Sequence, residues 1–135
     1  MNRLKIKELT FSAAHYISHH AKCGAIHGHT FFIRNLTIDC EQFVDFADVK
    51  KVIMQWDHTF IVPEKDYESW LKLIPSSVSP WRLDMMTVQG DPTCEILRET
   101  IRRQILSIPG AYNVQLELYE GPNQGVSYHD DRTVI

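Results

Sequence analysis

A run of β-branched and aromatic residues from Gly28 to Ile38 limits most strongly the fold that this chain can adopt. Its apolar side chains fall on parts of both faces of an extended strand, so we expect one face to be buried and the other to contact a further layer. The run begins within the motif His27-Gly28-His29. Residues two apart on a strand project to the same face, about 6.5–7 Å apart. The start of the strand therefore presents two imidazoles side by side.

The segments on either side of this strand predict a further strand and a helix. Residues 4–11 alternate between apolar and charged side chains, with a change of phase that predicts a bulge near Lys7 or Glu8. Residues 45–56 place their apolar side chains on one helical stripe and predict an amphipathic helix.

The second half of the chain predicts a helix followed by a hairpin. Asp91-Pro92 is typical of a helix start, and helical spacing continues to Ile108. Alternation from Val114 predicts a strand, and the turn at 121–125 leads to a last strand over 126–129, where we interpret His129 as an ordinary polar residue. Residues 63–90 are predicted to be mostly loop, with one helical turn at most.

The order of these elements predicts an α+β fold. Strands at both ends with helices between them favour an antiparallel sheet that carries two helices on one face, and the other face then needs a cover. Residues 1–135 contain no repeat, low-complexity tract or linker, so we predict a single domain. A chain of this length buries roughly 65–70% of its unfolded surface and needs no metal or disulfide to hold its core. A metal here would therefore serve chemistry.

Charge and cysteine content argue against several classes of protein. Fourteen Lys and Arg against seventeen Asp and Glu give a net charge of −3, without a basic stripe for nucleic acid. No segment has the ~18 apolar residues of a membrane span, and the N-terminus does not resemble a signal peptide. Three cysteines (Cys23, Cys40 and Cys94) are too few for a disulfide framework. We expect a cytoplasmic protein with reduced thiols.

A third histidine would complete a catalytic metal site with His27 and His29. Catalytic zinc commonly has three protein ligands and one open position. His15 ends the first predicted strand and meets the other two if the first two strands pair, whereas His19 and His20 in the intervening loop are the alternatives. We predict Zn²⁺, although imidazole also suits iron, copper or nickel.

Cys23 precedes His27 by four residues, in the loop that delivers the histidine pair. Positive charge nearby favours its thiolate, which could act as base or nucleophile. The thiol could instead be a fourth metal ligand in a closed structural site, or buried and inert, as we assume for Cys40.

Two carboxylates lie at positions where they could do chemistry. Asp57 stands beside His58 and could fix its tautomer for proton transfer, although the two could equally be a charge pair at a helix end. Glu120 continues the apolar side of its strand, where a carboxylate is costly unless hydrogen-bonded. A heterocycle with two adjacent N–H donors would satisfy it. Alternatively, the strand ends at Tyr119 and Glu120 lies in the turn.

Six short motifs, in this order, resemble the 6-pyruvoyl-tetrahydropterin synthase and 6-carboxy-tetrahydropterin synthase family over nearly the whole chain. The motifs are Phe11-Ser12-Ala13-Ala14-His15, Cys23-Gly24-Ala25-Ile26-His27-Gly28-His29, Val44-Asp45-Phe46, Trp56-Asp57-His58, Pro92-Thr93-Cys94-Glu95 and Tyr119-Glu120. The resemblance implies the tunnelling fold, a four-stranded antiparallel sheet with two helices on one face. Its subunits join into barrels as trimers, which stack as hexamers with active sites between subunits.

The resemblance also implies roles for individual residues. It implies zinc ligands at His15, His27 and His29, a catalytic thiol at Cys23 and proton-relay partners at Asp57 and His58. Glu120 matches the carboxylate that anchors the pterin ring, and Thr93 matches a residue lining the pterin pocket.

The implied substrate is 7,8-dihydroneopterin triphosphate. The spacing Cys-x-x-x-His-Gly-His resembles the 6-carboxy branch, which loses acetaldehyde and triphosphate and feeds the biosynthesis of deazapurines such as queuosine. The alternatives are the 6-pyruvoyl branch, which only eliminates triphosphate, and a zinc- or pterin-binding protein without turnover.

Several positions depart from the family pattern. Cys94 stands where a second threonine is frequent, Ile96 replaces a common Asn, and the hairpin expected between His29 and Asp45 is short and lacks the family's Gly-rich turn. These departures affect the shape of the pocket rather than the metal and proton-transfer residues. Candidate contacts for the triphosphate are Lys22, Arg34 and Lys51, although such side chains are more often solvated surface charges.

Overall fold

Two fourteen-residue strands, β1 (Asn2–His15) and β2 (His27–Cys40), form the centre of the sheet. The structure is a computed structural model and describes residues 1–74 and 82–128. The strands pair antiparallel, from Asn2 opposite Cys40 to His15 opposite His27. This pairing brings the end of β1 to the start of β2, where the histidine pair lies.

Both central strands change phase at the same level, which confirms the irregularity predicted near Lys7 or Glu8. In β1 the inward side passes from Ile6 to Leu9. In β2, Asn35 adopts a left-handed φ of 53°, a conformation that Asn tolerates better than most residues. Because both strands shift together, their register is kept from one end of the ladder to the other.

Four further strands extend the sheet. β3 (Thr59–Pro63) runs parallel to β1, and β4 (Met85–Val88) runs parallel to β3. On the other side, β5 (Ala111–Glu120) pairs antiparallel with β2 and carries the short β6 (Gly125–Val126). The order across the sheet is β4-β3-β1-β2-β5-β6.

The sheet is therefore mixed and six-stranded, and the prediction of a four-stranded antiparallel sheet is wrong. The prediction of mostly loop over 63–90 is wrong for the described part of this region, which contains β4 and a helix. Residues 75–81 lie outside the described residues. All five residues of β3 are buried, so this strand lacks the alternation that identifies a half-exposed strand. The last predicted strand is confined to β6, and His129 lies outside the described residues.

In the described ranges, three α-helices accompany the sheet rather than the two predicted: α1 (Phe46–Met54), α2 (Tyr67–Leu73) and α3 (Cys94–Leu106). A short 3₁₀ helix (Glu64–Asp66) precedes α2. The N-cap of α3 is Thr93 and not Asp91 as predicted. Thr93 N–H donates to the Asp91 carbonyl, so the chain is still turning there, and the Thr93 hydroxyl caps the helix at Ile96 N–H.

Helices α1 and α3 cover one face of the sheet, as the sequence predicts. Val49 and Ile53 of α1 and Leu97, Ile101 and Ile105 of α3 are fully buried in one cluster with the inward side chains of β1, β2 and β5. Within the described residues, no helix is long and apolar enough to cross a membrane.

We predict that Leu97→Ala lowers the free energy of unfolding by about 2–5 kcal/mol, because it leaves a cavity in this cluster. Leu71→Ala is the matched control, since Leu71 lies on α2 and is 44% exposed. Its effect should stay within about 0.5 kcal/mol. Urea unfolding of both variants measures the difference, and equal losses would contradict this description of the core.

Candidate metal centre and proton-transfer site

Pairing of β1 with β2 brings His15, His27 and His29 into one cluster. His15 lies directly opposite His27, and Ala13 lies opposite His29. One ring nitrogen from each histidine lies within 4.8 Å of those of the other two. The three rings meet edge to face, with centroids 4.6–5.0 Å apart. A single cation between them could bind all three.

Hydrogen bonds on the far side of two of these rings fix their tautomers. His15 Nδ1–H donates to the Pro92 carbonyl at 2.8 Å, and His27 Nδ1–H donates to the Ala25 carbonyl at 2.7 Å. Each ring then presents an unprotonated Nε2, as in protein metal sites whose outer hydrogen bonds orient the ligands.

Two of the nitrogens in the cluster have no protein partner. His15 Nε2 and His29 Nε2 are buried, and neither makes a hydrogen bond to any described residue. Buried polar atoms are nearly always paired, so these two call for a partner that is not a protein side chain. A cation fits this requirement, and three neutral nitrogens form a donor set that suits zinc.

Burial keeps these imidazoles uncharged. The pKa of His15, which is fully buried, falls from 6.5 to about 4 because burial disfavours the charged ring. Burial likewise lowers the pKa of His29. At neutral pH both rings are free of a competing proton and ready to bind a metal.

Glu120 lies at the edge of the cluster. It is the last residue of β5, opposite Phe31, so the alternative that the strand stops at Tyr119 is wrong. Its carboxylate oxygens lie 4.0 Å from His15 Nε2 and 3.9 Å from His29 Nε2. A carboxylate at this distance complements the charge of a bound cation, and its oxygens can accept a hydrogen bond from a ligand bound beside that cation.

Asp57 and His58 form a hydrogen-bonded pair although they are neighbours in sequence. His58 has a left-handed φ of 59°, which turns its ring back so that Nδ1–H donates to Asp57 Oδ2 at 2.7 Å. The backbone of Ser12 holds the pair to β1: Ser12 N–H donates to Asp57 Oδ1, and His58 N–H donates to the Ser12 carbonyl. The bond from Ser12 also lowers the pKa of Asp57.

A cleft of about 730 Å³ opens beside this pair. His58, 83% exposed, and His29 both line it, so His58 and the histidine cluster share one cavity. Apolar side chains form much of the remaining wall: Ile26, Phe60, Trp70 and Leu83.

Cys23 does not belong to the histidine cluster, and neither do His19 and His20. Cys23 is half-buried in the loop between β1 and β2. It makes no hydrogen bond to Asp57 or His58 within the described part of the chain. The structure therefore does not unite the predicted thiol with its predicted relay partners in one subunit.

The other two cysteines are packing residues. Cys40 is buried, as assumed from the sequence, and its thiol donates to the Ile38 carbonyl. Cys94 donates to the Leu118 carbonyl, and burial raises its pKa to about 12. The neighbouring residue Thr93 caps the N-terminus of α3 with its hydroxyl.

Arg34, one of the candidate phosphate contacts, is already paired. Its guanidinium lies over the rings of Phe32 and Tyr119 and donates to Glu8. These contacts place its charge on the face of the sheet away from the helices.

Several contacts at the site were not predicted from the sequence. Main-chain groups of Pro92 and Ser12 orient His15 and Asp57, and no side-chain pattern reveals them. Trp70 donates a hydrogen bond to the Tyr16 hydroxyl, which donates one to Asp66. These two hydrogen bonds fix α2 beside the cleft. An aromatic residue in a segment interpreted as loop was the only available signal.

We predict that the metal-free protein loses stability as the pH falls from about 6.5 to about 4. The unfolded chain takes up protons on His15 in this window, whereas the folded chain does not. The loss is on the order of 3 kcal/mol for His15 alone. Urea unfolding across this pH range measures it. The side chain in His15→Asn cannot titrate, so the free energy of unfolding of this variant should depend clearly less on pH. A pH dependence equal to that of the wild type would contradict the assignment to His15.

Comparison with known proteins gives one consistent result. A sequence profile of the family described as 6-pyruvoyl tetrahydropterin synthase matches residues 5–131. A protein of Archaeoglobus fulgidus, provisionally named 6-carboxy-5,6,7,8-tetrahydropterin synthase, is 37% identical over 60 residues. That alignment covers 38% of this chain and about half, 52%, of the relative.

Solved structures agree on the fold. A catalytic-residue mutant of 6-pyruvoyltetrahydropterin synthase from Plasmodium vivax is 18% identical and superposes with a TM-score of 0.62 over 96% of this chain and 97% of that one. The Plasmodium falciparum enzyme is also 18% identical, with a TM-score of 0.60 over the same shares. With the profile covering nearly all of its residues, this chain belongs to the 6-pyruvoyl tetrahydropterin synthase family.

Proposed function

We propose that this protein is a zinc-dependent carbon–oxygen lyase that converts 7,8-dihydroneopterin triphosphate and one water molecule into 6-carboxy-5,6,7,8-tetrahydropterin, acetaldehyde and triphosphate. The observation that carries the proposal is the histidine cluster, beside a cleft that His58 also lines. In this cluster the buried Nε2 atoms of His15 and His29 have no partner among the described residues. The Cys-x-x-x-His-Gly-His spacing and the name of the archaeal relative favour the 6-carboxy product.

His15, His27 and His29 would hold the zinc ion through their ring nitrogens. When bound, zinc supplies Lewis acidity toward the diol of the substrate side chain. The three ligands are neutral, so the site keeps the full charge of the cation, and Glu120 is the nearby carboxylate that partly balances it.

Proton movement is assigned to Asp57, His58 and Cys23. Asp57 holds the proton of His58 on Nδ1, which leaves Nε2 free to accept a proton from the cleft and return it. Cys23 acts as the second proton-transfer group. Because Cys23 makes no hydrogen bond to His58 within the described part of one chain, the proposal includes a trimer or hexamer with active sites between subunits.

Substrate binding is assigned to Glu120 and to the segment around Thr93. The Glu120 carboxylate would accept two hydrogen bonds from the pterin ring, which suits a side chain only 19% exposed at the cluster. Thr93 already caps α3 with its hydroxyl, so it would line the pocket rather than recognise the ring.

The 6-pyruvoyl reaction, with triphosphate elimination alone, is the alternative supported by the names of the solved relatives. A zinc- or pterin-binding protein without turnover is a third possibility. We expect the protein to act in the cytoplasm, since Cys23, Cys40 and Cys94 are all free thiols. We assign its product to queuosine-type deazapurine biosynthesis.

We predict that the zinc-loaded protein, incubated with 7,8-dihydroneopterin triphosphate, releases 6-carboxytetrahydropterin and acetaldehyde in equal amounts. Chromatography identifies the pterin, and a coupled assay measures acetaldehyde. A 6-pyruvoyl product without acetaldehyde would establish the alternative reaction, and an unchanged substrate would contradict a lyase.

We predict that Asp57→Asn lowers kcat by roughly 10²–10⁴-fold while the zinc content stays at the wild-type level. An amide cannot accept both the Ser12 N–H and the His58 Nδ1–H bonds that the carboxylate accepts. Asp45→Asn is the matched control: Asp45 caps α1 away from the cleft, and Asn is an equally good cap. Loss of zinc in Asp57→Asn would contradict its assignment to proton transfer.

A further inference from the structure

We propose that His20 is a positioning residue that fixes the loop carrying Cys23. This inference rests on the proposed function, because Cys23 matters for turnover only if the lyase assignment holds. It starts from a contact that neither the metal cluster nor the relay pair uses. His20 Nδ1 accepts a hydrogen bond from Cys23 N–H at 2.9 Å and another from Lys22 N–H at 3.2 Å.

Main-chain contacts close the same loop around this side chain. Ile17 N–H donates to the Cys23 carbonyl at 2.7 Å, and Gly24 N–H donates to the His20 carbonyl at 3.0 Å. The chain is so tight here that a Cβ on Gly24 would lie 2.5 Å from the His20 carbonyl oxygen. These hydrogen bonds fix the loop, and both the N–H and the carbonyl of Cys23 take part in them.

The histidine ring supplies a hydrogen-bond acceptor for two backbone amides of the loop. The amides of Lys22 and Cys23 point toward the inside of the turn, where the His20 ring meets both of them. Because both bonds are donated to Nδ1, the ring carries its proton on Nε2. The required feature is therefore an acceptor at the δ position of residue 20, not a charge or a metal ligand.

The loop also leads directly into the metal cluster. Cys23 is followed by Gly24 and Ala25, whose carbonyl accepts the bond that orients His27. His20 therefore fixes the backbone that carries the thiol, four residues before the His27 ring. A small displacement of a proton-transfer group is enough to reduce turnover strongly.

Asn and Gln at position 20 separate this role from general support of the loop. The Asn side-chain oxygen occupies nearly the position of Nδ1 and can accept the same two bonds, whereas the Gln oxygen lies nearer the position of Nε2. We expect His20→Asn to behave like the wild type, and His20→Gln and His20→Ala to lose the contact. His19→Asn is the matched control, since Asn tolerates the left-handed φ of 63° at that position.

The first measurement is hydrogen exchange of the zinc-loaded proteins, followed at the amides of Lys22 and Cys23. His20→Ala and His20→Gln should exchange about tenfold faster there, as expected for loss of a hydrogen bond. Alkylation of Cys23 by iodoacetamide, followed by mass spectrometry, should also accelerate in these two variants. His20→Asn and His19→Asn should match the wild type in both measurements.

The second measurement is turnover of 7,8-dihydroneopterin triphosphate. We expect His20→Ala and His20→Gln to lose about tenfold or more in kcat, with KM and zinc content little changed, and His20→Asn to restore kcat. Unchanged amide exchange in His20→Ala, or failure of His20→Asn to restore it, would overturn the proposal. Normal exchange behaviour with no turnover by the wild type would instead refute the proposed function and leave the loop contact standing.

Discussion

The antiparallel pairing of β1 with β2 is the constraint on which the site depends. It sets His15 directly opposite His27 and places His29 one step along the same face. The phase change near Glu8 and the left-handed Asn35 keep both strands in register while their inward sides shift together. Without that matched shift, the first part of β1, up to Ile6, and the last part, which ends at His15, would present their inward side chains to opposite faces of the sheet.

Burial of the cluster links folding to metal binding. His15 is fully buried, and its Nε2 and that of His29 have no partner among the residues that the structure describes. Such atoms destabilise a folded chain unless something else pairs with them. A bound cation removes this cost, so the free energy of metal binding contributes to that of folding. The hydrogen bonds that the His15 and His27 rings donate to the Pro92 and Ala25 carbonyls orient the rings before any ion arrives.

Local sequence patterns were sufficient for some features and not for others. The histidine triplet could be predicted because strand geometry converts spacing into direction, and α1 and α3 could be predicted from helical spacing. β3 could not, because a strand buried on every side lacks alternation, and the parallel pairing of β3 and β4 depends on distant residues. The contact between Asp57 and His58 depends on the left-handed backbone at His58, which their adjacency in the sequence does not reveal. The hydrogen bonds of Ser12 and Pro92 involve main-chain atoms, which no side-chain pattern encodes.

The central claim is that three imidazoles bind one zinc ion and that no sulfur completes the site. X-ray absorption spectroscopy of the zinc-loaded protein at the zinc K-edge tests this directly. The account predicts a first shell of nitrogen and oxygen alone, at about 2.0–2.1 Å, with the multiple scattering of three imidazoles. A sulfur scatterer at about 2.3 Å would show that Cys23 is a ligand and that the site is structural and closed.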